Sequence, residues 1–130
     1  MAVVAGRSTR SLDIMIERCT STKHRGWLEL RRELWPHAEA EHLAEMGAIC
    51  SGPDRLSAFV AYDDGARPVG FVEAAVRTDY VNGTSSSPVG FIEGIYVVSS
   101  ARRRGIARAL AQAAESWARA GGCREMASVR

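Results

Sequence analysis

The segment from Phe91 to Gly122 constrains the fold more than any other part of the chain. It reads FIEGIYVV, then SSARRRGIAR, then ALAQAAESWARAGG, which predicts a strand, a basic turn containing Gly105, and an alanine-rich helix. The isoleucine, tyrosine and valine residues of the first part indicate the strand. An apolar stripe at helical spacing indicates the helix, and it consists of Ala107, Leu110, Ala111, Ala114, Trp117 and Ala118.

The turn between this strand and this helix has the composition of an anion site. The first N–H groups of a helix have no partner inside it, and together with the positive end of the helix dipole they suit a phosphate group. Gly105 lets the backbone approach a ligand closely. Arginines can grip phosphate oxygens bidentately, and the turn carries Arg102, Arg103, Arg104 and Arg108. A basic surface loop remains an equal alternative at this point.

Length and composition predict one globular domain without a metal. The 130 residues are 46% hydrophobic and 25% charged, and the net charge of +2 does not favour a nucleic acid or a membrane as a partner. Cys19, Cys50 and Cys123 form neither a zinc spacing nor a disulfide framework, which favours the cytoplasm. We expect residues 1–12 to be a disordered extension and residues 13–130 to form the domain.

Periodicity predicts an α/β fold with a mixed, mostly antiparallel central sheet flanked by helices. The second helix would turn Leu43, Met46 and Ile49 inward. The last strand would run parallel to the central one because a helix connects them. The predicted elements are a strand at Asp13–Cys19, helices at His24–Trp35 and Ala38–Ile49, strands at Ser57–Tyr62, Val69–Arg77 and Gly90–Val98, the helix described above, and a strand at Cys123–Val129.

Three residues stand out as candidates for contact with a substrate. Glu93 lies inside the central strand, where a carboxylate is costly to bury unless it has a partner or faces a cleft. Gly94 follows it and indicates a bulge or a close approach of a ligand. Trp35 precedes the proline that ends the first helix, and Tyr80 lies in the loop before the central strand. An exposed strand glutamate and two structural aromatics are the alternatives.

Arg102-x-x-Gly105-x-Ala107 resembles the coenzyme A signature of the GCN5-related N-acetyltransferases (GNAT), which lies between a central strand and a long helix. The wider chain resembles one branch of that family, the aminoglycoside 6′-N-acetyltransferases, from about Asp13 to Ser128. The segments that carry this second resemblance are Leu34-Trp35-Pro36, Asp79-Tyr80-Val81-Asn82-Gly83, Ser86-Ser87-Pro88, Glu93-Gly94-Ile95 and Gly122-Cys123-Arg124-Glu125-Met126-Ala127-Ser128.

The resemblance implies acetyl-CoA as co-substrate and a polycationic aminoglycoside as acceptor. Trp35, Tyr80 and Glu93 would line the antibiotic pocket, and Glu93 would receive the proton of the attacking amine. Because the acceptor is a polycation, Glu39, Glu41, Glu45 and Asp79 are further candidate acids. The backbone of Ile95, Tyr96 and Val97 would hold the pantetheine arm. The pyrophosphate cradle would comprise Arg102, Arg103, Arg104, Gly105, Ile106, Ala107 and Arg108.

The resemblance also raises expectations about the end of the chain. Family members continue with a helix and two strands, whereas this sequence ends at Arg130. We therefore expect a C-terminally truncated domain with impaired activity, and a homodimer in which another chain covers the open sheet. Two other hypotheses remain: a GNAT enzyme that acetylates another small amine, and a domain that binds coenzyme A or oligomerises without catalysis.

Overall fold

The structure, a computed structural model, describes residues 13–78, 84 and 86–128 of the chain. The order of elements predicted from the sequence is confirmed. In chain order they are β1 (Met15–Arg18), α1 (Trp27–Leu34), α2 (Glu39–Ser51), β2 (Leu56–Tyr62), β3 (Pro68–Arg77), β4 (Val89–Val97), a 3-10 turn (Ser99–Ala101), α3 (Ile106–Ala120) and β5 (Met126–Ser128). The expectation about residues 1–12, and the candidates Asp79 and Tyr80, lie outside the described residues.

The sheet has five strands in the order β1-β2-β3-β4-β5. Strands β1 to β4 form antiparallel pairs, and β5 lies parallel to β4 because α3 carries the chain back along the sheet. The described pairing between β4 and β5 runs from Gly90–Met126 to Ile92–Ser128. Beyond Ile92, the β5-facing edge of β4 therefore has no strand partner among the described residues.

Helices cover both faces of this sheet. Alternation along β2 sends Ala58 and Val60 into a cluster with residues of α1 and α2, and sends Ala61 into a cluster with residues of α3. Trp27 and Leu30 of α1 anchor the first cluster, and the core stripe of α3 anchors the second with Ile106, Leu110 and Ala114. The alternation of β2 thus fixes two cores on opposite sides of one sheet.

The inward face of α2 differs from the predicted one. Leu43 is 39% exposed, so the prediction that it turns inward is wrong, whereas Met46 is fully buried as predicted. His42 is buried in place of Leu43, and its Nδ1 accepts a hydrogen bond from Nε of Arg31 at 3.0 Å. Ile49 is partly buried against the core as predicted, so the inward face of α2 comprises His42, Met46 and Ile49, and His42 links it to α1.

A β-bulge lies at the predicted position in β4. Glu73 of β3 pairs with Gly94 and the next residue, Ala74, pairs with Ile92, so Glu93 has no cross-strand partner. This register shift is the local irregularity that Gly94 indicated, and it places Glu93 where strand pairing does not constrain its side chain.

The three cysteines of the chain are fully or partly buried. Cys19, Cys50 and Cys123 are free thiols, and burial raises the pKa of each above its ordinary value.

None of the helices in the described part of the chain combines the length and apolar character of a membrane span. Among the same residues, no group of His, Cys, Asp and Glu side chains is arranged to hold a metal ion.

Candidate active site

Two cavities on either side of β4 share Trp35 and Glu93. The helix-side cavity, of about 430 Å³, lies between α1, α2 and the sheet and is lined by Arg31, Trp35, His37, Glu45, Ala48, Ile49, Leu56, Glu73 and Glu93. The β4–β5 cleft, of about 510 Å³, is lined by Leu34, Trp35, Ile92, Glu93, Gly94, Ile95, Ala107, Arg108, Ala111 and Ser128. A group bound in one cavity can therefore meet a group bound in the other at these two residues.

Trp35 reaches this boundary because α1 ends there. Its backbone N–H donates to the carbonyl of Arg31 at 2.9 Å, and its extended backbone stops the helix. Its ring meets that of Phe71 edge-on and stacks on that of His37, with distances between ring centres of 5.8 Å and 6.2 Å respectively. A Cβ atom on Gly94 would lie 2.4 Å from the ring. Gly94 is therefore the residue of β4 that makes room for the Trp35 ring.

Glu93 is held by a single ion pair. Its Oε2 accepts a hydrogen bond from Nη2 of Arg77 at 3.0 Å, and both side chains are a little over one third exposed. No other donor reaches the carboxylate among the described residues. Oε1 therefore remains available to a ligand that enters either cavity.

A buried charge cluster supports the helix-side cavity. The guanidinium of Arg31 is 1% exposed, bonds to the carboxylates of Glu73 and Glu45, and lies 4.8 Å from the centre of the Trp35 ring. Trp27 donates its indole N–H to Glu73 at 2.9 Å. Burial raises the pKa of Glu73 although Arg31 opposes it, and burial followed by the charge of Arg31 lowers the pKa of His42. Arg31 is thus the centre that ties α1, α2 and β3 together beside Trp35.

The β4–β5 cleft extends from the part of β4 that contains Ile95 to the start of α3. Ile95 lines the cleft from β4, and Ala107 and Arg108 line it from the first turn of α3. The side chains of the two residues after Ile95 lie elsewhere: Val97 packs in the α3 core, and Tyr96 faces α1 and hydrogen-bonds Glu33 at 3.2 Å. Burial, and then Glu33, raise the pKa of Tyr96. These two residues can therefore contact a ligand in the cleft through the backbone.

The basic turn before α3 has the backbone of an anion site. Arg103 and Gly105 both have positive φ, 65° and 82°, and Gly105 is the N-cap of α3. Arg102 closes the turn, since its Nε donates to the carbonyl of Val97 at 2.7 Å. Ile106 is 1% exposed and anchors the helix start in the core. The N–H groups of the first turn precede the first intrahelical bond, which Ala109 donates to Gly105, so these residues fit a phosphate group.

The structure brings together some of the predicted site residues and separates others. Trp35, Glu93, Ile95, Ala107 and Arg108 line the shared site, whereas Arg103 and Arg104 are exposed on the turn that leads to it. Of the candidate acids, Glu45 lines the helix-side cavity. Glu39 instead pairs with Arg32, and Glu41 accepts a hydrogen bond from the Ala38 N–H at 3.1 Å in the α2 cap.

Sequence reasoning missed Arg31, Glu73, His37 and Arg77 as site residues. Arg31 stands four residues from both Trp27 and Trp35 and so lies on the same helical stripe. Glu73 is the one charge inside an apolar strand, VGFVEAAVR before its final arginine. Each signal points to burial with a partner, but neither identifies the partner, because Arg31 and Glu73 are 42 residues apart in the chain.

Comparisons with known proteins agree with this geometry. The sequence profile described as Acetyltransferase (GNAT) family matches residues 21–130. Aminoglycoside N(6′)-acetyltransferase type 1 of Salmonella enteritidis is 46% identical over 118 residues, which are 90% of this chain and 79% of that protein. The protein of the same name from Acinetobacter haemolyticus is 47% identical over 102 residues, 78% of this chain and 69% of that protein.

Solved structures show the same architecture. The structure of AAC(6′)-Iy in complex with the bisubstrate analogue CoA-S-monomethyl-acetylneamine has a TM-score of 0.85 and 43% sequence identity to this chain. The match covers 90% of this chain and 79% of that one. The apo structure of AAC(6′)-IG from Acinetobacter haemolyticus has a TM-score of 0.83 and 41% identity, and the match covers 89% and 79% of the two chains.

Proposed function

The chain belongs to the GNAT acetyltransferase family, and from that premise we propose that it transfers the acetyl group of acetyl-CoA to the 6′-amino group of an aminoglycoside. The observation that carries the proposal is the junction of two cavities at Trp35 and Glu93. Relatives that are named as aminoglycoside N(6′)-acetyltransferases supply the acceptor class, and a structure in complex with CoA supplies the donor.

The β4–β5 cleft and the α3 start are the donor half of the site. After Ile92 the edge of β4 has no strand partner within the described part of the chain, and its backbone groups can bind the amides of a pantetheine arm as they would bind an added strand. The N–H groups that follow Gly105, together with Arg103, Arg104 and Arg108, would bind the pyrophosphate. An acetyl thioester held this way would lie at the Glu93 end of the cleft.

The helix-side cavity is the acceptor half of the site. Glu45, Glu73 and Glu93 line it and provide the negative charge that a polycation needs, although Arg31 neutralises part of it. Trp35 and His37 form one stacked aromatic wall, against which a sugar ring can pack. We propose that Asp79 and Tyr80, which lie outside the described residues, complete this half of the site.

Glu93 is the proposed acceptor of the amine proton. Its Oε1 is free of donors among the described residues, and the side chain reaches both cavities. As the new C–N bond forms, the amine proton passes to Glu93 directly or through one water. The C–S bond breaks, and the sulfur leaves with coenzyme A. A backbone N–H of β4 would stabilise the charge on the carbonyl oxygen.

We also propose a homodimer in the cytoplasm. Within the described residues β1 and β5 are sheet edges, and Met15 on β1 is 60% exposed, so a second chain has surface to cover. Three free cysteines fit a reducing compartment. Light scattering at micromolar concentration should give twice the mass of one chain, and a stable monomer would contradict this assembly.

The test of the proposed function is release of the coenzyme A thiol from acetyl-CoA in the presence of kanamycin-type or gentamicin-type acceptors. We expect thiol release only when an acceptor is present, and one acetyl group on the product by mass spectrometry. Release with simple polyamines but not with aminoglycosides would favour the alternative of another small-amine acceptor. Coenzyme A binding by calorimetry without turnover on any amine would favour the non-catalytic alternative.

A further inference from the structure

Arg77 contacts Glu93, the proposed base, although acetyl transfer itself does not require a cation at that position. Arg77 is the last residue of β3 and lies opposite Val89 in the register. Its side chain runs along β4 over Phe91, with the guanidinium carbon 4.2 Å from the ring centre. Nη2 then reaches Oε2 of Glu93 at 3.0 Å. The aromatic ring thus serves as a platform that fixes a cation beside Glu93.

The bulge makes this contact important for the carboxylate. Glu93 has no cross-strand partner, and Arg77 is its single hydrogen-bond donor among the described residues. Without Arg77, neither a cross-strand partner nor another described donor would fix the rotamer of the Glu93 carboxylate. The side chains of Arg77 and Glu93 are 39% and 38% exposed, and such pairs contribute little to folding stability. Stability alone therefore does not explain the arrangement.

We infer that Arg77 is a positioning residue that holds Oε2 of Glu93 and thereby directs Oε1 toward the amine of the acceptor. The inference rests on the proposed function and goes beyond it in one respect. Arg77 lines neither cavity, but its guanidinium lies 3.0 Å from Oε2 of Glu93, which lines both, so a polycationic acceptor that approaches Glu93 meets a fixed positive charge. The same residue therefore favours the reaction and opposes binding.

This double role predicts an unusual kinetic signature. In Arg77→Met the carboxylate loses its orientation, and kcat should fall by about tenfold, because small misplacements of reacting groups carry costs of this size. The acceptor meets one fewer positive charge, so its KM should fall by about threefold. Arg77→Lys keeps the charge and can still reach Glu93, so it should recover most of kcat and restore KM.

The chain offers a charge-matched control. Arg119 pairs with Glu115 at 2.7 Å on the surface of α3, and neither side chain lines the two cavities. Arg119→Met changes the net charge equally, so it should leave both constants unchanged. A second probe is Phe91→Leu, which removes the platform and retains Arg77. It should lower kcat in the same direction by a smaller factor, and it keeps the inference testable if Arg77→Met does not fold.

The experiment measures acetyl-CoA consumption against neomycin concentration for the parent enzyme and these four variants. Lower kcat with lower acceptor KM in Arg77→Met, rescued by Arg77→Lys, supports the inference. An unchanged kcat, or a fall in kcat accompanied by a higher KM for both neomycin and acetyl-CoA, overturns it and indicates a structural residue. Failure of the parent enzyme to acetylate any aminoglycoside refutes the proposed function itself, and the role of Arg77 in it.

Discussion

The side chain of Glu93 is partly exposed, so a ligand can reach it, and its hydrogen bond with Arg77 restricts its orientation. The bulge in β4 removes its cross-strand neighbour, and Arg77 holds one of its two oxygens. Gly94, which follows it, gives Trp35 the space to close the boundary between the two cavities. The bulge and Gly94 of β4, together with Arg77 of β3, therefore determine the geometry at the proposed meeting point of acceptor and donor.

We predict that Glu93→Gln reduces turnover by about 10²-fold or more, because the amide keeps the shape but loses basicity. The acceptor KM should rise, since a polycation loses a charge-assisted hydrogen bond. Coenzyme A affinity should not change, because the pyrophosphate turn lies beyond the end of β4. Steady-state kinetics and calorimetry measure these effects.

The matched control for this prediction is Glu115→Gln. That carboxylate pairs with Arg119 on the exposed face of α3, and its loss should leave both substrates unaffected. If Glu93→Gln turned over as fast as its parent, Glu93 would be a strand residue without a role in proton transfer.

At the scale of elements, the start of α3 is the proposed pyrophosphate site of the donor. Gly105 adopts a φ of 82°, which an L-residue with a branched side chain adopts only under strain. We predict that Gly105→Val weakens coenzyme A binding more than tenfold, or about 1.4 kcal/mol, because the side chain blocks the approach of the phosphate. Calorimetry with coenzyme A measures the loss.

The other end of the same helix provides a control for strain. Gly122 has a φ of 97°, and a Cβ atom there would meet nothing within 4 Å. Gly122→Val therefore introduces comparable backbone strain far from the donor site and should leave coenzyme A affinity intact. Unchanged affinity in a folded Gly105→Val protein would remove the pyrophosphate from this turn.

Helix α1 is the second element that shapes the site, because its Arg31 bonds to Glu73 and Glu45 beside Trp35. Arg31→Met leaves the carboxylate of Glu73 buried, without its cation, at 5% exposure. We predict a loss of about 3–5 kcal/mol in the free energy of unfolding, as expected when one partner of a buried pair is removed. Denaturant titration measures it.

Neutralising the orphaned acid should recover part of that loss. The double variant Arg31→Met with Glu73→Gln retains an acceptor for Trp27 and removes the unpaired charge. The surface control Arg119→Met should cost less than about 1 kcal/mol. Equal costs for Arg31→Met and Arg119→Met would show that the cluster does not stabilise the fold.

The element order was predictable from sequence, whereas the partners of the charged side chains were not. Periodicity and glycine positions predicted β4, the turn and α3, because these signals are local. The burial of Arg31 was not predicted, because it depends on Glu73 and Glu45 on other elements. Leu43 was assigned to the core in error: Met46 and Ile49 do face the core, but His42, which bonds to Arg31, takes the buried position beside them. The pair between Arg77 and Glu93 likewise requires the β3–β4 register.

At the scale of the whole molecule, two cavities lie on either side of β4 and meet at Trp35 and Glu93. Helices α1 and α2 build the carboxylate-lined cavity on one side, and α3 with β4 builds the cleft that we propose for the thioester. Neither half can perform acetyl transfer alone. The architecture therefore predicts an enzyme in which the donor and the acceptor enter separately and react at Glu93.

The most direct measurement compares two acceptors that differ at a single position. Neomycin carries an amino group at the 6′ position, and paromomycin carries a hydroxyl group there. We expect the protein to release coenzyme A from acetyl-CoA with neomycin and not with paromomycin. Equal release with both acceptors would place the acetyl group on another amine and contradict the 6′ assignment, and release with neither would contradict aminoglycoside acetylation by this chain.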